Sequence, residues 1–307
     1  MKKFRHILHV TDPAADEATR SRAVELAIDN QAALTFMSVV ERLPRTWSMF
    51  SGIDDPDELQ QTVAAERRRQ LLELASEYSC TGVPLDAVVA VGDPANAIVR
   101  QVVEGNCDLL VKSADGFGIT DRLLGSVSQS LMRLAPCPVW LLKPESPDQF
   151  DNVVAAIDVT SPEAADNALN EDILEYADTI ARREAATLHV VSVWDVWMET
   201  ALRARLGDKI VDGVVAELES DVRTKLDQLV HQSVRSPTVQ KHLHRGAADT
   251  KIRETIDQVD ADLLVIGTQC RTGVAGFFIG NTAESILSDV QCSVLTIKPE
   301  AFVTPVQ

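Results

Sequence analysis

Short runs of almost continuously apolar residues alternate along the chain with longer segments whose apolar residues recur at helical spacing. In the first half the short runs predict five strands, at residues 4–11, 34–40, 85–91, 107–112 and 139–142. The spacing predicts helices at residues 16–30, 57–78 and 126–134, and a further helix that opens with Asp93 as N-cap and Pro94 in its first turn. Apolar strands separated by helices are typical of a parallel sheet with both faces covered.

The second half repeats this order, with strands near 152–157, 187–193, 238–244, 262–267 and 293–297 and one long helix at about 199–231. Short sequence motifs repeat as well: the motif DLLV at Asp108 returns at Asp262, and the CPV motif at Cys137 returns as CSV at Cys292. A repeat of this length means two copies of one domain. We therefore predict an α/β fold with two tandem doubly wound domains at 1–144 and 152–299, a linker at 145–151 and a tail at 300–307.

Composition narrows the class of protein. The chain has 307 residues, enough for two domains, and no apolar run of the length that a membrane span needs. Its start lacks the long apolar stretch of a signal peptide, so we expect a cytoplasmic protein. The formal net charge of −17 argues against direct contact with nucleic acid. The basic cluster Arg67–Arg69 lies among glutamates and is interpreted as a salt-bridged helix face.

Doubly wound sheets bind ligands beyond the carboxyl ends of their strands. In this chain those positions hold Asp12 and Asp158 after the first strand of each half, and a glycine-rich loop after each fourth strand. Such a loop, followed by a helix N-terminus, can present backbone N–H groups to a phosphate. Side chains at the helix starts could add donors or could simply cap the helices; these are Ser126, Asn281 and Thr282.

Both halves resemble universal stress protein domains. The resemblance covers nearly the whole chain and rests on the strand-one aspartates, the GDP motif at Gly92, APCPV from Ala135, GNTAE from Gly280 and the repeated Lys-Pro. It implies the strand order 3-2-1-4-5, a role in stress endurance that includes tolerance of DNA damage, and domain pairing through the fifth strands. The tandem chain would then resemble a covalent dimer, and as a whole it is monomeric or a homodimer.

The resemblance also supplies a nucleotide-binding pattern, which this chain only partly keeps. Nucleotide-binding members carry a loop of the form G-x2-G-x9-G-(S/T), an aspartate near the adenine and a second-strand residue beside the base. Asp12 and Asp158 keep the aspartate, and Val39 and Val193 fall at the second-strand position. The first loop reads Ser113-x2-Gly116-x8-Gly125-Ser126, so it lacks the first glycine and one residue. The second keeps Gly267 and Gly280 but has Cys270 and Asn281 at the other two positions.

Two function classes follow. The altered loops favour a non-enzymatic binding, scaffold or ligand-sensing protein, whose partner is another protein or a small molecule. The alternatives are a stress regulator with a weak Mg-ATP site in the first domain, and a carrier of an apolar, lipid-like ligand. The carrier hypothesis rests on apolar residues near the loops, among them Phe117 and Phe277, which are more simply explained as packing between the halves. No catalytic constellation is present, although weak ATPase activity stays open.

Two further features were weighed against structural explanations. His242 and His244 share a strand face, but no third ligand follows from the sequence, so we predict no metal site. Cys270 could be a reactive thiol if loop N–H groups lower its pKa, although a small buried residue is the simpler interpretation. Cys137 and Cys292 are interpreted as core residues.

Overall fold

The computed structural model describes residues 4–11, 17–43, 56–114, 125–161, 164–268, 280–288 and 290–306. The chain divides into two compact units that correspond to its two halves. The tail from Ala301 to Val306 forms no helix or strand and belongs to the unit of the first half. Residues 44–55, 115–124 and 269–279, which include much of both glycine-rich loops, lie outside the described residues.

The described part of the first domain alternates strands and helices around one parallel sheet. Its strands are β1 (His6–Val10), β2 (Ala33–Val40), β3 (Leu85–Val91), β4 (Leu109–Ser113) and β5 (Val139–Leu142). Its helices are α1 (Glu17–Asn30), α2 (Pro56–Glu77), α3 (Pro94–Glu104) and α4 (Ser126–Leu134). The strand order β3-β2-β1-β4-β5 confirms the predicted 3-2-1-4-5 topology. Helix α3 opens as predicted, because the Asp93 carboxylate accepts a hydrogen bond from Asn96 N at 3.0 Å.

The described part of the second domain has the same topology. Its strands are β6 (Asn152–Ile157), β7 (Thr187–Trp194), β8 (Val239–Arg245), β9 (Leu263–Gly267) and β10 (Ser293–Ile297), in the order β8-β7-β6-β9-β10. Its helices are α5 (Ala164–Glu184), α6 (Glu199–Leu206), α7 (Asp208–Ser233), α8 (Ala248–Gln258) and α9 (Asn281–Leu287). All described pairs within this sheet are parallel. The sheet therefore repeats the first one strand for strand.

One predicted element was wrong. The segment 199–231 was predicted as a single helix, but it forms α6 and α7, which are separated by Gly207. Gly207 has φ 84° and ψ 154°, a backbone conformation that no helix contains and that side chains rarely adopt. Apolar periodicity continues across such a break, which is why the spacing alone did not reveal it.

The repeated aspartate of the DLLV motif has a structural role in both domains. The Asp108 carboxylate accepts hydrogen bonds from Arg5 N and His6 N at 2.9 to 3.0 Å. Asp262 does the same for Asp151 N at 2.7 Å and Asn152 N at 2.9 Å. Each aspartate thus holds the start of the central strand of its sheet, β1 or β6, whose backbone donors would otherwise lack partners.

The structure confirms the roles predicted for two cysteines and for the basic cluster of α2. Cys137 and Cys292 are buried as predicted, and burial raises the pKa of the Cys137 thiol far above its ordinary value. On α2, Arg69 forms ion pairs with Glu66 at 2.6 Å and Glu73 at 2.5 Å, which confirms the salt-bridged helix face. Within the described residues no helix combines the length and the apolar character that crossing a membrane requires.

Candidate functional site

Two candidate residues of the first domain, Val39 and Ser113, lie at the carboxyl end of its sheet. Ser113 is the last residue of β4 and is buried, with 4% of its surface exposed. Its Oγ makes no hydrogen bond to any described residue. A hydroxyl therefore occupies the place of the motif's first glycine. Asp12 and Gly116 lie outside the described residues.

Helix α4 begins one residue earlier than it would if Ser126 were its N-cap. Gly125 is its N-cap, and no side chain caps the helix. Ser126 is the first helical residue and is exposed, so the capping role considered for it from the sequence is wrong. The backbone N–H groups of this first turn are consequently not satisfied by a cap side chain.

Helix α9 of the second domain opens in the same way. Gly280 is its N-cap without a side-chain cap, and Asn281 and Thr282 are its first two residues. Neither residue occupies the N-cap position, from which a side chain caps a helix. Thr282 is exposed, while the side chain of Asn281 and all of Cys270 lie outside the described residues.

Gly267, at the end of β9, is in close contact with helix α5. A Cβ atom at this position would lie 2.8 Å from Leu169 Cδ2 and 3.1 Å from Ile173 Cδ1. Both distances are shorter than ordinary van der Waals contact, so a side chain here would force the side chains of Leu169 and Ile173 on α5 to shift. The presence of this loop glycine is explained by packing within the domain.

Asp158 follows β6, as the sequence predicted, and its side chain is exposed. Its carboxylate accepts hydrogen bonds from Thr160 N at 2.8 Å and Thr160 Oγ1 at 2.6 Å, which is the arrangement of an Asx turn. The buried Asn170 side chain holds the backbone of Asp158 on both sides: Asp158 N donates to Oδ1 at 3.1 Å, and Nδ2 donates to Asp158 O at 2.6 Å. Asp158 is therefore an ordered turn residue.

Val39 and Val193 occupy corresponding positions near the ends of β2 and β7. Each is partly exposed, and each pairs with the outer strand of its sheet, Val39 with Ala90 and Val193 with His244. The structure therefore places both valines at the carboxyl edge where the pattern puts the base pocket.

Three histidines of the second domain lie in a row, of which the sequence analysis named two. His242 and His244 do share one face of β8, with ring centroids 6.2 Å apart. The neighbouring strand adds the buried His189, whose Nδ1 lies 3.0 Å from His242 Nε2 and whose Nε2 lies 3.2 Å from Asn152 Oδ1. His189 escaped the sequence analysis because it is 53 residues from His242, and only the register of β7 against β8 brings them together.

The contact between two imidazoles requires that at least one of them stays neutral. One ring nitrogen must donate and the other accept, so two charged rings would face each other with N–H groups 3.0 Å apart. Burial lowers the pKa of His189 and of His242, and a neighbouring histidine lowers each further. Across the described residues no group of three or more ligating side chains is arranged to hold a metal ion.

The sequence also gave no sign of the buried carboxylate of Asp178 on α5. It accepts hydrogen bonds from Arg235 N at 2.8 Å and Ser236 N at 2.6 Å, and Arg182 Nε lies 2.9 Å away. Asp178 also lines an open cavity of about 260 Å³ together with Glu171 and Glu175. Because its oxygens are already bonded, Asp178 fixes the segment before β8 to α5.

Comparison with known proteins identifies the family. The model of the universal stress protein family matches residues 3–143 and again residues 149–298. The chain belongs to the universal stress protein family, and it carries two such domains in tandem.

Relatives that span the whole chain are known. The chain is 26% identical to universal stress protein E of Photorhabdus laumondii over 313 residues, covering 100% of this chain and 99% of that protein. It is 25% identical to universal stress protein E of Escherichia coli K12 over 319 residues, covering 100% and 98%. The fold also resembles the crystal structure of a functionally unknown protein from Pseudomonas aeruginosa PAO1, with a TM-score of 0.72 and 27% identity over 97% of this chain and 93% of that chain. These relatives place the chain among tandem stress-response proteins of the universal stress protein E type.

Proposed function

We propose that this protein acts in the cytoplasmic stress response as a non-enzymatic binding or scaffold protein, and that neither domain holds a nucleotide tightly. Its partner is another protein or a small molecule. The proposal rests on family membership together with the condition of the two loops. In each loop, residues that would have to approach a phosphate closely are replaced.

The observation that carries the proposal is the contact of Gly267 with Leu169. The second domain keeps this glycine, and taken alone the glycine would support a nucleotide loop. Packing of α5 favours a glycine there whether or not a ligand binds. Gly280 is then the one residue of the pattern that still speaks for a nucleotide loop, because Cys270 and Asn281 depart from it. A side chain at a glycine position hinders close approach of the backbone to a ligand.

The second candidate function is a weak Mg-ATP site in the first domain. It is favoured by the start of α4, where Ser126 is exposed and no side chain caps the helix. Uncapped N–H groups at a helix N-terminus attract anions. Against it stand the buried Ser113 in place of a glycine and the loop that is one residue short.

Equilibrium dialysis with Mg-ATP separates the two functions. We expect the wild-type chain to show no saturable binding at low-micromolar nucleotide. Any weak binding in the first domain should be lost in Ser126→Ala and kept in Thr282→Ala, which removes an exposed hydroxyl in the first turn of α9 in the second domain. The double variant Cys270→Gly/Asn281→Ser restores the full pattern and should bind ATP more tightly than wild type. Tight binding by the wild-type chain would overturn the proposal.

A further inference from the structure

The first half of helix α7 presents an exposed face beside the one that packs on its own domain. Ile210 and Val214 on this face are 58% and 49% exposed. The opposite face packs on the domain through Val211, Val222 and Leu226. Helix α6, which contacts α7, buries none of its residues either. Two aliphatic side chains one turn apart are thus left in water on a helix that has a separate buried face.

Gly213 lies between these two side chains in sequence, in the second turn of the helix. A glycine there costs about 1 kcal/mol of helix stability relative to alanine. No heavy atom lies within 4 Å of the position that its Cβ would occupy, and its φ is not in the left-handed region. Neither packing within the domain nor backbone conformation therefore accounts for this glycine. Close approach of another backbone is one reason for a helix to carry a glycine on an exposed face.

Charged side chains of opposite sign lie on the two sides of Gly213 on this face. Lys209 lies four residues before it, and Glu217 and Asp221 lie four and eight residues after it. These spacings of three and four residues put all of them on the exposed face. Among the described residues none of the three charged side chains forms an ion pair, whereas Asp212 beside them is paired with Arg203 at 2.8 Å.

We propose that this face of α7 binds the same face of a second copy of the chain. If two α7 helices cross antiparallel at Gly213, the position four residues before the crossing in one copy faces the position four residues after it in the other. Lys209 of each copy then meets Glu217 of its partner, and Ile210 and Val214 cover the space on either side of the glycine. The pattern is self-complementary, which a two-fold contact between identical subunits requires.

The charge of the whole chain favours a second copy at this face over contact elsewhere. Two molecules that each carry a net charge of −17 repel each other over most of their surfaces. The α7 face offers a lysine on each copy to a glutamate on the other, so it is a place where this repulsion is locally reversed. Complementary charges of this kind also fix the orientation and register of an interface.

Sedimentation equilibrium of the full-length chain tests the proposal through a charge exchange. We expect a monomer–dimer equilibrium, which Lys209→Glu and Glu217→Lys should each weaken by about tenfold or more, since each places like charges opposite one another. The double variant Lys209→Glu/Glu217→Lys should restore dimerisation. Arg68→Glu, a charge reversal at an exposed position of α2, should leave it unchanged.

Each other outcome would overturn the inference. A wild-type chain that stays monomeric at high micromolar concentration has no such interface. Single variants that dimerise as wild type does place the interface elsewhere, and so does a double variant that fails to recover while its far-ultraviolet circular dichroism matches wild type.

Discussion

Leu169 of α5 lies against the bare Cα of Gly267, so that a Cβ atom there would come within 2.8 Å of Leu169 Cδ2. The contact joins the end of β9 to the helix that covers it. A sequence alone does not tell whether a glycine is present to let a ligand approach or to let a helix pack closely. The contact with Leu169 supports the second reason for Gly267. The first prediction follows from this difference.

The variant Gly267→Ala should lower the free energy of unfolding of the second domain by about 1–3 kcal/mol, because the added methyl group overpacks the space under α5. Urea unfolding followed by circular dichroism measures this loss. The double variant Gly267→Ala/Leu169→Ala should show coupling, since shortening Leu169 removes the clash. Purely additive losses would mean that Leu169 does not restrict this position.

The variant Asp262→Ala should destabilise the second domain by about 2 kcal/mol, because the backbone N–H groups of Asp151 and Asn152 lose a charged acceptor. Hydrogen exchange measured by mass spectrometry should rise in the peptide that contains β6. Asp257→Ala, an exposed aspartate of α8, is the matched control and should change stability by less than about 0.5 kcal/mol. Equal effects of the two variants would contradict a strand-holding role for Asp262.

Stability of the second domain should fall as pH decreases below about 6.5, the ordinary pKa of histidine. The folded state holds His189 and His242 with lowered pKa values, so the unfolded chain takes up more protons in this range and acid favours unfolding. Unfolding free energies between pH 7.5 and 5.5 should show a smaller slope in His242→Gln than in wild type. The exposed His231→Gln is the control. A slope that His242→Gln leaves unchanged would show that the imidazole pair does not carry the dependence.

The first domain should show a related dependence through His9. This residue is fully buried in β1, and burial lowers its pKa to about 3. The folded domain keeps His9 neutral while the unfolded chain protonates it, so ~2 kcal/mol of stability should be lost between pH 7.5 and 5. Guanidinium unfolding of wild type and His9→Phe at the two pH values measures the difference. If both lose the same amount, His9 is not the group responsible.

The fold could be predicted from the sequence more fully than the site. Apolar runs located most of the described strands, and Asp93 with Pro94 located the start of α3, because burial and capping leave local signals. The polar strand β8 followed from the repeat of the first half. Gly207 broke a predicted helix without disturbing its periodicity. The contacts of His189 with His242 and of Gly267 with Leu169 join residues far apart in the chain. No local pattern reports such contacts, so the structural reasons for these residues became visible only in three dimensions.

Nucleotide content is the central question, and native mass spectrometry of the intact chain, purified without added nucleotide and then titrated with Mg-ATP, tests it most directly. We expect the mass of the bare polypeptide after purification and no saturable adduct at micromolar ATP. A retained nucleotide, or a saturable adduct that Ser126→Ala removes, would contradict it and establish the first domain as an ATP site.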